Sequence, residues 1–278
     1  MKVGLIGYGY WGGGFVARNI ARVAELAVIV DPDPERIAEA STVWSAWGTR
    51  VATEPEVAFA ECDAVWIATP AATHEDLVRR ALSHGVHVLC EKPFVFDPDE
   101  ASSLCEQADS DDLALLVGHL SLYTEAHTQA SLVPTRRIET VRHTTAPSLS
   151  DANVVWGLAP HDVASVLALF GTPESVFCRG TDHRAIASLQ WRDGREATIE
   201  VDWLADERRR VHRVFGAKGF VDVALADNKV EPLLAQASHF VALCEADSEE
   251  ARREKRAEAE AVTVVLAAME QCRTKVAV

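Results

Sequence analysis

No apolar stretch of this 278-residue chain approaches the ~18 residues that a membrane-spanning helix needs; Val163 to Phe170 and Ala261 to Met269 are among the longest. The opening MKVGLIGYGYW breaks at glycines within a few residues, which excludes the apolar core of a secretion signal. The chain has no C-x-x-C. Its cysteines, at 62, 90, 105, 178, 244 and 272, are scattered as reduced thiols of a cytoplasmic protein would be, and not as a disulfide frame or zinc site. There is no H-E-x-x-H and no Cys-His pair at ligand spacing, and His84 and His87 straddle a turn, so no metal is expected. Positive charge is scarce: 27 Lys plus Arg stand against 42 Asp plus Glu, a net charge of −15. Such a field repels phosphate backbones and anionic lipid, so nucleic acid and membranes are poor partners. A small anionic ligand in a local pocket is still allowed. Internal repeats, low-complexity tracts and long linkers are also missing. What remains is ordinary globular composition, 48% hydrophobic and 25% charged, with room for two domains.

The first part alternates strand and helix signals. Val3 to Ile6, Leu26 to Val30, Ala64 to Ala68, Val86 to Cys90 and Leu113 to Val117 read as buried strands. Helical patterns at Gly14 to Val23, Pro34 to Ala40, His74 to His84 and Pro98 to Ala108 separate most of them. That alternation predicts a doubly wound parallel sheet in an α/β domain, residues 1–119. After about Gly118 the strands crowd together: Ile138 to Thr145, Ser175 to Cys178, Ala185 to Trp191, Ala197 to Trp203, Arg210 to Phe215 and Gly219 to Leu225. Asp193-Gly194 supplies the positive φ of a tight hairpin. Residues 120–278 are therefore expected to form an α+β domain with an open, mostly antiparallel sheet, and helices at His161 to Phe170, Leu233 to Ala246 and Glu249 to Cys272. The charged run Glu249 to Glu260 reads as a solvated helix face. An open sheet needs cover, so a homodimer or homotetramer through the second domain is expected.

Gly7-Tyr8-Gly9-Tyr10-Trp11-Gly12 fits G-x-G-x-x-G, and here it follows a strand and opens a helix. The next strand ends in Asp31, where the dinucleotide fingerprint places its acid. Gly7 makes the turn, Gly9 lets the backbone approach a pyrophosphate, and Gly12 lets helix and strand pack. The helix start offers N–H groups to the phosphates. Asp31 can accept from ribose hydroxyls and would repel a 2′-phosphate, which favours NAD over NADP; Arg36 could soften that preference. Gly13 and Gly14 have no reading from the pattern. Glu91-Lys92-Pro93 follows a strand directly, at the end of the sheet where ligands bind, and a lysine there can hydrogen-bond a reacting oxygen. Pro160 suits the first turn of a helix, which sets His161 near a positive dipole end that favours a neutral, proton-accepting imidazole.

The glycine turn, Ala68-Thr69-Pro70, Glu91-Lys92-Pro93, Val117-Gly118-His119-Leu120 with Tyr123, and Trp156 to Asp162 occur in that order. Together they resemble the glucose-fructose oxidoreductase/inositol dehydrogenase/MocA family over essentially the whole chain. Gly9-Tyr10-Trp11-Gly12 with Ala17-Arg18-Asn19, Gly118-His119-Leu120 and Ala159-Pro160-His161-Asp162 look like its nucleotide-sugar branch, which includes UDP-N-acetylglucosamine-uronate 3-dehydrogenases. The resemblance implies a Rossmann domain and NAD-linked oxidation of a sugar secondary alcohol, or the reverse. It implies that Gly7, Tyr8, Gly9, Tyr10, Trp11, Gly12 and Asp31 hold the cofactor, with Thr69, Pro70, His74, Glu91 and Lys92 along its nicotinamide side. Lys92 would hold the reacting oxygen, and His161, opposite the nicotinamide, would be acid/base. Tyr123, Arg142 and Trp156 complete the substrate-side candidates; Arg142 reads either as a contact for a substrate anion or as an exposed strand arginine. Asp162 reads as orienting a neighbour or capping its helix.

One departure stands out. The family usually has an aspartate four residues before this histidine, and here that position is Gly157. Three readings stay open: Lys92 and His161 suffice, aided by water or Asp151; the substrate supplies the missing group; or the chemistry has weakened or changed. The alternatives to a sugar dehydrogenase are accordingly an imine or cyclic-ketone reductase, and a dinucleotide-binding protein without catalysis.

Overall fold

A computed structural model describes residues 1–146, 152–216, 219–224, 229–246 and 248–275. The chain divides into two compact units. The first comprises Met1–Val95, Asp99–Gly118 and Lys229–Ala259; the second comprises Phe96–Pro98, His119–Asn228 and Glu260–Val278. The expected domains met once, at 119/120. The observed units exchange the chain again near its end.

In the first unit six strands pair in parallel: β1 (Lys2–Ile6), β2 (Glu25–Val30), β3 (Arg50–Ala52), β4 (Ala64–Ile67), β5 (His87–Cys90) and β6 (Leu115–Val117), in the order β3-β2-β1-β4-β5-β6. Helices α1 (Ala17–Val23), α2 (Pro34–Trp44), α3 (Glu56–Glu61), α4 (His74–Ser83) and α5 (Pro98–Ser110) connect them. Helices on both faces explain why the central strands are continuous apolar runs: every residue of β4 is buried. The strand order reverses between β1 and β4, so the loops after these two strands diverge and leave a crevice. The short β3 and α3 were not anticipated, and α2 runs past Ala40 to Trp44. Its start is ordinary: Pro34 takes the first turn, and Asp33 accepts from the Glu35 N–H.

Helix α6 (Glu125–Ser131) precedes the second sheet, which contains β7 (Arg137–His143), β8 (Ser175–Gly180), β9 (Arg184–Gln190), β10 (Glu196–Asp202), β11 (Arg209–Gly216) and β12 (Gly219–Ala224). The order is β12-β11-β7-β10-β9-β8, antiparallel except for the β7–β10 pair. The Asp193-Gly194 hairpin forms as expected, with Gly194 at φ +81 and its N–H donating to Trp191 O at 3.0 Å. Helices α7 (Val154–Leu158) and α8 (Pro160–Phe170) pack their apolar sides on this sheet, together with Val262, Val265, Leu266 and Met269.

Helices α9 (Val230–Glu245) and α10 (Glu249–Lys275) close the chain. Within the first unit, α9 packs on α1. The charged run that opens α10 is not simply solvated. Arg252 and Arg256, one turn apart and both buried, turn inward: Arg252 donates to Asp112 O at 2.9 Å and Arg256 to Leu113 O at 3.0 Å, with ion pairs to Asp112 and Asp109. These two guanidiniums hold the start of α10 to the turn before β6 and, with the packing of α9 on α1, tie Lys229–Ala259 to the first unit. Among the described residues no helix is long and apolar enough to cross a membrane, and no group of three or more His, Cys, Asp or Glu is placed to hold a metal ion.

Candidate active site

The loop after β1 is built around absent side chains. Gly7 has φ +98, and a Cβ there would lie 2.6 Å from Ala68 O in the loop after β4. A Cβ at Gly12 would overlap the Gly7 carbonyl. The next residues, Gly12–Val16, are wound as a wide π turn that leads into α1. Gly13 now has an explanation: its missing side chain makes room for the buried Tyr8 ring, which a Cβ would meet at 3.1 Å. The Tyr8 hydroxyl accepts from Trp44 Nε1 at 3.0 Å. Tyr8 therefore shapes the turn from below, and Tyr10 stands exposed beside Phe15. At Gly9 and Gly14 a Cβ would meet nothing within 4 Å.

Asp31, at the end of β2, is buried and held at both oxygens. Oδ2 accepts from Tyr8 N at 2.7 Å and Oδ1 from Asp33 N at 2.9 Å. Each carboxylate oxygen can accept a second bond, so ribose hydroxyls still find acceptors there. The residues fit a dinucleotide. Gly9 leaves open the approach a pyrophosphate needs, the first turn of the helix presents its N–H groups, and a fixed carboxylate stands where a ribose belongs.

The loop after β5 carries Glu91, Lys92 and Pro93, with a cis bond between Lys92 and Pro93. The Glu91 carboxylate lies among indoles: Oε1 accepts from Trp11 Nε1 at 2.8 Å and from Trp66 Nε1 at 3.2 Å. Burial raises its pKa, opposed by the two indole donors and the adjacent Lys92 charge. Trp11 thus ties the glycine turn to the lysine turn. Sequence reading missed Trp66, which is indistinguishable from any aromatic in a buried strand, and the part of Gly118. A Cβ at Gly118 would lie 2.8 Å from Glu91 Oε2 and 3.0 Å from Cδ. A glutamate tip usually swings aside cheaply, but this one is held by two donors. Gly118→Ala is expected to break at least one of these bonds and to cost about 1–3 kcal/mol in urea unfolding. An unchanged unfolding midpoint would show that the carboxylate relocates freely.

His74, expected along the nicotinamide side, is almost fully buried at the start of α4. Its Nδ1 lies 2.8 Å from Pro93 O and its Nε2 3.1 Å from Thr69 O. Thr69 and Pro70 belong to the neighbouring loop, where Thr73 Oγ1 donates to Pro70 O at 2.8 Å and approaches Thr69 Oγ1 at 2.7 Å.

In the second unit, α7 and α8 meet at Ala159, whose backbone is itself helical, so Gly157 stands about one turn before His161. Where the family usually has a carboxylate, this helix has none; Asp151 lies outside the described residues. His161 occupies the first turn of α8, half-buried, and its carbonyl accepts from Ser121 Oγ at 2.7 Å. Tyr123, also half-buried, lies on the turn Leu120–Tyr123 that packs on α8. Trp156 is in the core, edge-on to Phe96 with ring centres 5.3 Å apart. Arg142 is neither exposed nor open to a substrate anion. It is buried, and its guanidinium grips Asp162 with Nε–Oδ2 at 2.6 Å and Nη2–Oδ1 at 3.0 Å. His212 Nε2 reaches the same carboxylate at 3.1 Å. Burial pushes the Asp162 carboxyl up, but the charge of Arg142 and the hydrogen bonds from His212 and Arg142 hold it at about 2. The alternation in β7 was a usable signal: Arg142 shares a face with Ile138, and that face is inward.

Comparison with known proteins identifies the family. Residues 1–119 match the family described as an oxidoreductase family with an NAD-binding Rossmann fold. The UDP-N-acetylglucosamine 3-dehydrogenase of Acidithiobacillus ferrooxidans is 31% identical over 239 residues, 82% of this chain and 75% of that protein. Its solved structure superposes with a TM-score of 0.82 at 28% identity, covering 99% of this chain and 97% of that one. The scyllo-inositol dehydrogenase of Lactobacillus casei, solved with NAD(H) and scyllo-inositol, shares the fold at 16% identity, with a TM-score of 0.84 and coverage of 99% and 97%. An NADP-dependent scyllo-inositol 2-dehydrogenase of Bacillus subtilis is 27% identical over 147 residues, 45% of this chain and 44% of that protein. The chain belongs to the glucose-fructose oxidoreductase/inositol dehydrogenase/MocA family of oxidoreductases.

Proposed function

We propose that the protein is an NAD-linked dehydrogenase or ketoreductase acting on a secondary alcohol or ketone of a sugar or nucleotide sugar. The observation that carries this reading is the Trp11–Glu91 hydrogen bond, which joins the dinucleotide turn to the turn bearing Lys92. When bound, the nicotinamide accepts or supplies the hydride. Lys92 holds the reacting oxygen and shares its proton with His161. Tyr123 contributes to substrate binding. Arg142 and Trp156 are taken up by packing and are left out of the substrate contacts. The likeness to a UDP-N-acetylglucosamine 3-dehydrogenase supports the substrate class. Assembly as a homodimer or homotetramer in the cytoplasm belongs to the same reading; Phe177 and Phe220 leave exposed aromatic rings on the outer face of the second sheet.

NAD is favoured over NADP because Asp31 cannot swing aside: backbone N–H groups fix both of its oxygens. Arg36, which could have offset it, leans toward Glu39 at 3.5 Å. Nicotinamide absorbance should be followed in both directions with UDP-N-acetylglucosamine, its uronate, scyllo-inositol and cyclic imines. The expected result is sugar turnover, with kcat/KM for NAD exceeding that for NADP by about tenfold or more. Turnover of imines alone, or a preference for NADP, would overturn the corresponding half of the reading.

A further inference from the structure

We infer that His74 is a positioning residue that aims Lys92, not a contact of the cofactor; the inference rests on the dehydrogenase reading above. The imidazole bridges two loops. On one side its Nδ1 lies 2.8 Å from Pro93 O and 3.2 Å from Phe94 O. On the other its Nε2 lies 3.1 Å from Thr69 O. The first pair of carbonyls follows Lys92 directly, and the third lies in the loop after the neighbouring strand β4. All three oxygens can only accept, so each contact calls for a ring N–H. A neutral imidazole satisfies one side and an imidazolium both; in either form the ring fills the gap between the loops.

The chemistry of the turn makes that bridge matter. Pro93 has no N–H, so its carbonyl is the only main-chain polar group through which that residue can be anchored. His74 is that anchor, and it stands on α4, a helix with Leu77, Val78, Ala81 and Leu82 packed into the core. The opposite loop is rigid as well. Thr73 fixes Pro70 O, and the missing Cβ of Gly7 lets the Ala68 carbonyl come close. The main chain beside Lys92 is thus referred through one side chain to the loop that borders the crevice. A ring 1% exposed and engaged at both nitrogens has little surface to offer a cofactor.

The test compares wild type, His74→Ala and His74→Gln. Hydrogen exchange read by mass spectrometry over residues 69–73 and 91–96 probes the bridge without any substrate. NADH fluorescence titration probes cofactor binding, and kcat, KM and the pH profile of kcat with NAD and UDP-N-acetylglucosamine probe the reaction. In His74→Ala, exchange over 91–96 should quicken by about tenfold. NADH affinity should stay within about threefold. The kcat should fall about 10²-fold with little change in KM, and its pH profile should shift as Lys92 loses its fixed surroundings. His74→Gln, with a donor for one side only, should fall between the two and serves if the alanine variant does not fold. Unchanged exchange over 91–96 would overturn the inference. So would a loss of NADH affinity with kcat retained, which would make His74 a cofactor contact. Quickened exchange in a protein whose wild type turns over none of the sugars would support the bridge and sink the dehydrogenase reading instead.

Discussion

Lys92→Ala is expected to lower kcat by about 10²–10⁴-fold, the usual contribution of a positioned acid or base. NADH should still bind, because the glycine turn and Asp31 are organised by their own contacts with Tyr8, Asp33 and Ala68. The ammonium does two things. In the proposed reaction it donates to the reacting oxygen, and its charge lowers the carboxyl pKa of the neighbouring Glu91. Removing it therefore also raises the pKa of a carboxyl that burial has already pushed up. Lys92→Arg separates the two effects. It keeps the charge beside Glu91, but its proton is not given up near neutral pH and its planar fork has a different geometry. Both variants should lose turnover, and only the alanine should change the pH dependence of NADH binding. Steady-state kinetics and fluorescence titration across pH measure the split. Turnover of Lys92→Ala within about tenfold of wild type would remove Lys92 from the chemistry.

The parallel sheet was legible because buried strands repeat a simple pattern and glycines mark the turn that must lie against Ala68. The hairpin at Asp193-Gly194 was legible for the same reason, a backbone angle that few residues adopt. Short elements were not: β3 has three residues, and a strand that brief has no period to read. The path of α10 was hidden for a different reason. Charge in a helix suggests water, yet Arg252 and Arg256 carry long apolar stems and meet carbonyls and carboxylates from a turn about 140 residues earlier, a pairing that only the fold creates. At the candidate site, the tight turn at Gly7 and Gly12 and the places of Asp31 and Glu91-Lys92-Pro93 just after their strands could be read from residue type and position. The partners that fix them could not. Trp66, Gly118 and the buried orientation of His74, like the His212 contact to Asp162 in the second unit, act through contacts between distant segments, and nothing in their neighbours along the chain announces them.

Arg142→Met is expected to destabilise the protein by about 3–5 kcal/mol, the cost of leaving a buried carboxylate without its charge partner. Arg142 on β7, Asp162 on α8 and His212 on β11 are all buried, so among the described residues the Asp162 carboxylate would keep only the 3.1 Å contact to His212. The pH dependence has a definite sign. The folded pKa of Asp162, about 2, lies below its ordinary value of 3.8, so its stabilisation is complete above about pH 4 and is lost as pH falls toward 2. The difference corresponds to about 2 kcal/mol. In Arg142→Met, burial is no longer overruled by the guanidinium, the Asp162 pKa rises, and acid unfolding should move to higher pH. Urea unfolding at pH 7 and circular dichroism through an acid titration measure both effects. The double variant Arg142→Met/Asp162→Leu removes both charges together and should recover much of the lost stability, as apolar replacements of buried pairs often do. A single variant within about 1 kcal/mol of wild type would show the pair to be dispensable. Recovery of stability without turnover would assign the pair its use: Asp162 follows His161 in the first turn of α8, so a grip on one fixes the backbone that presents the other.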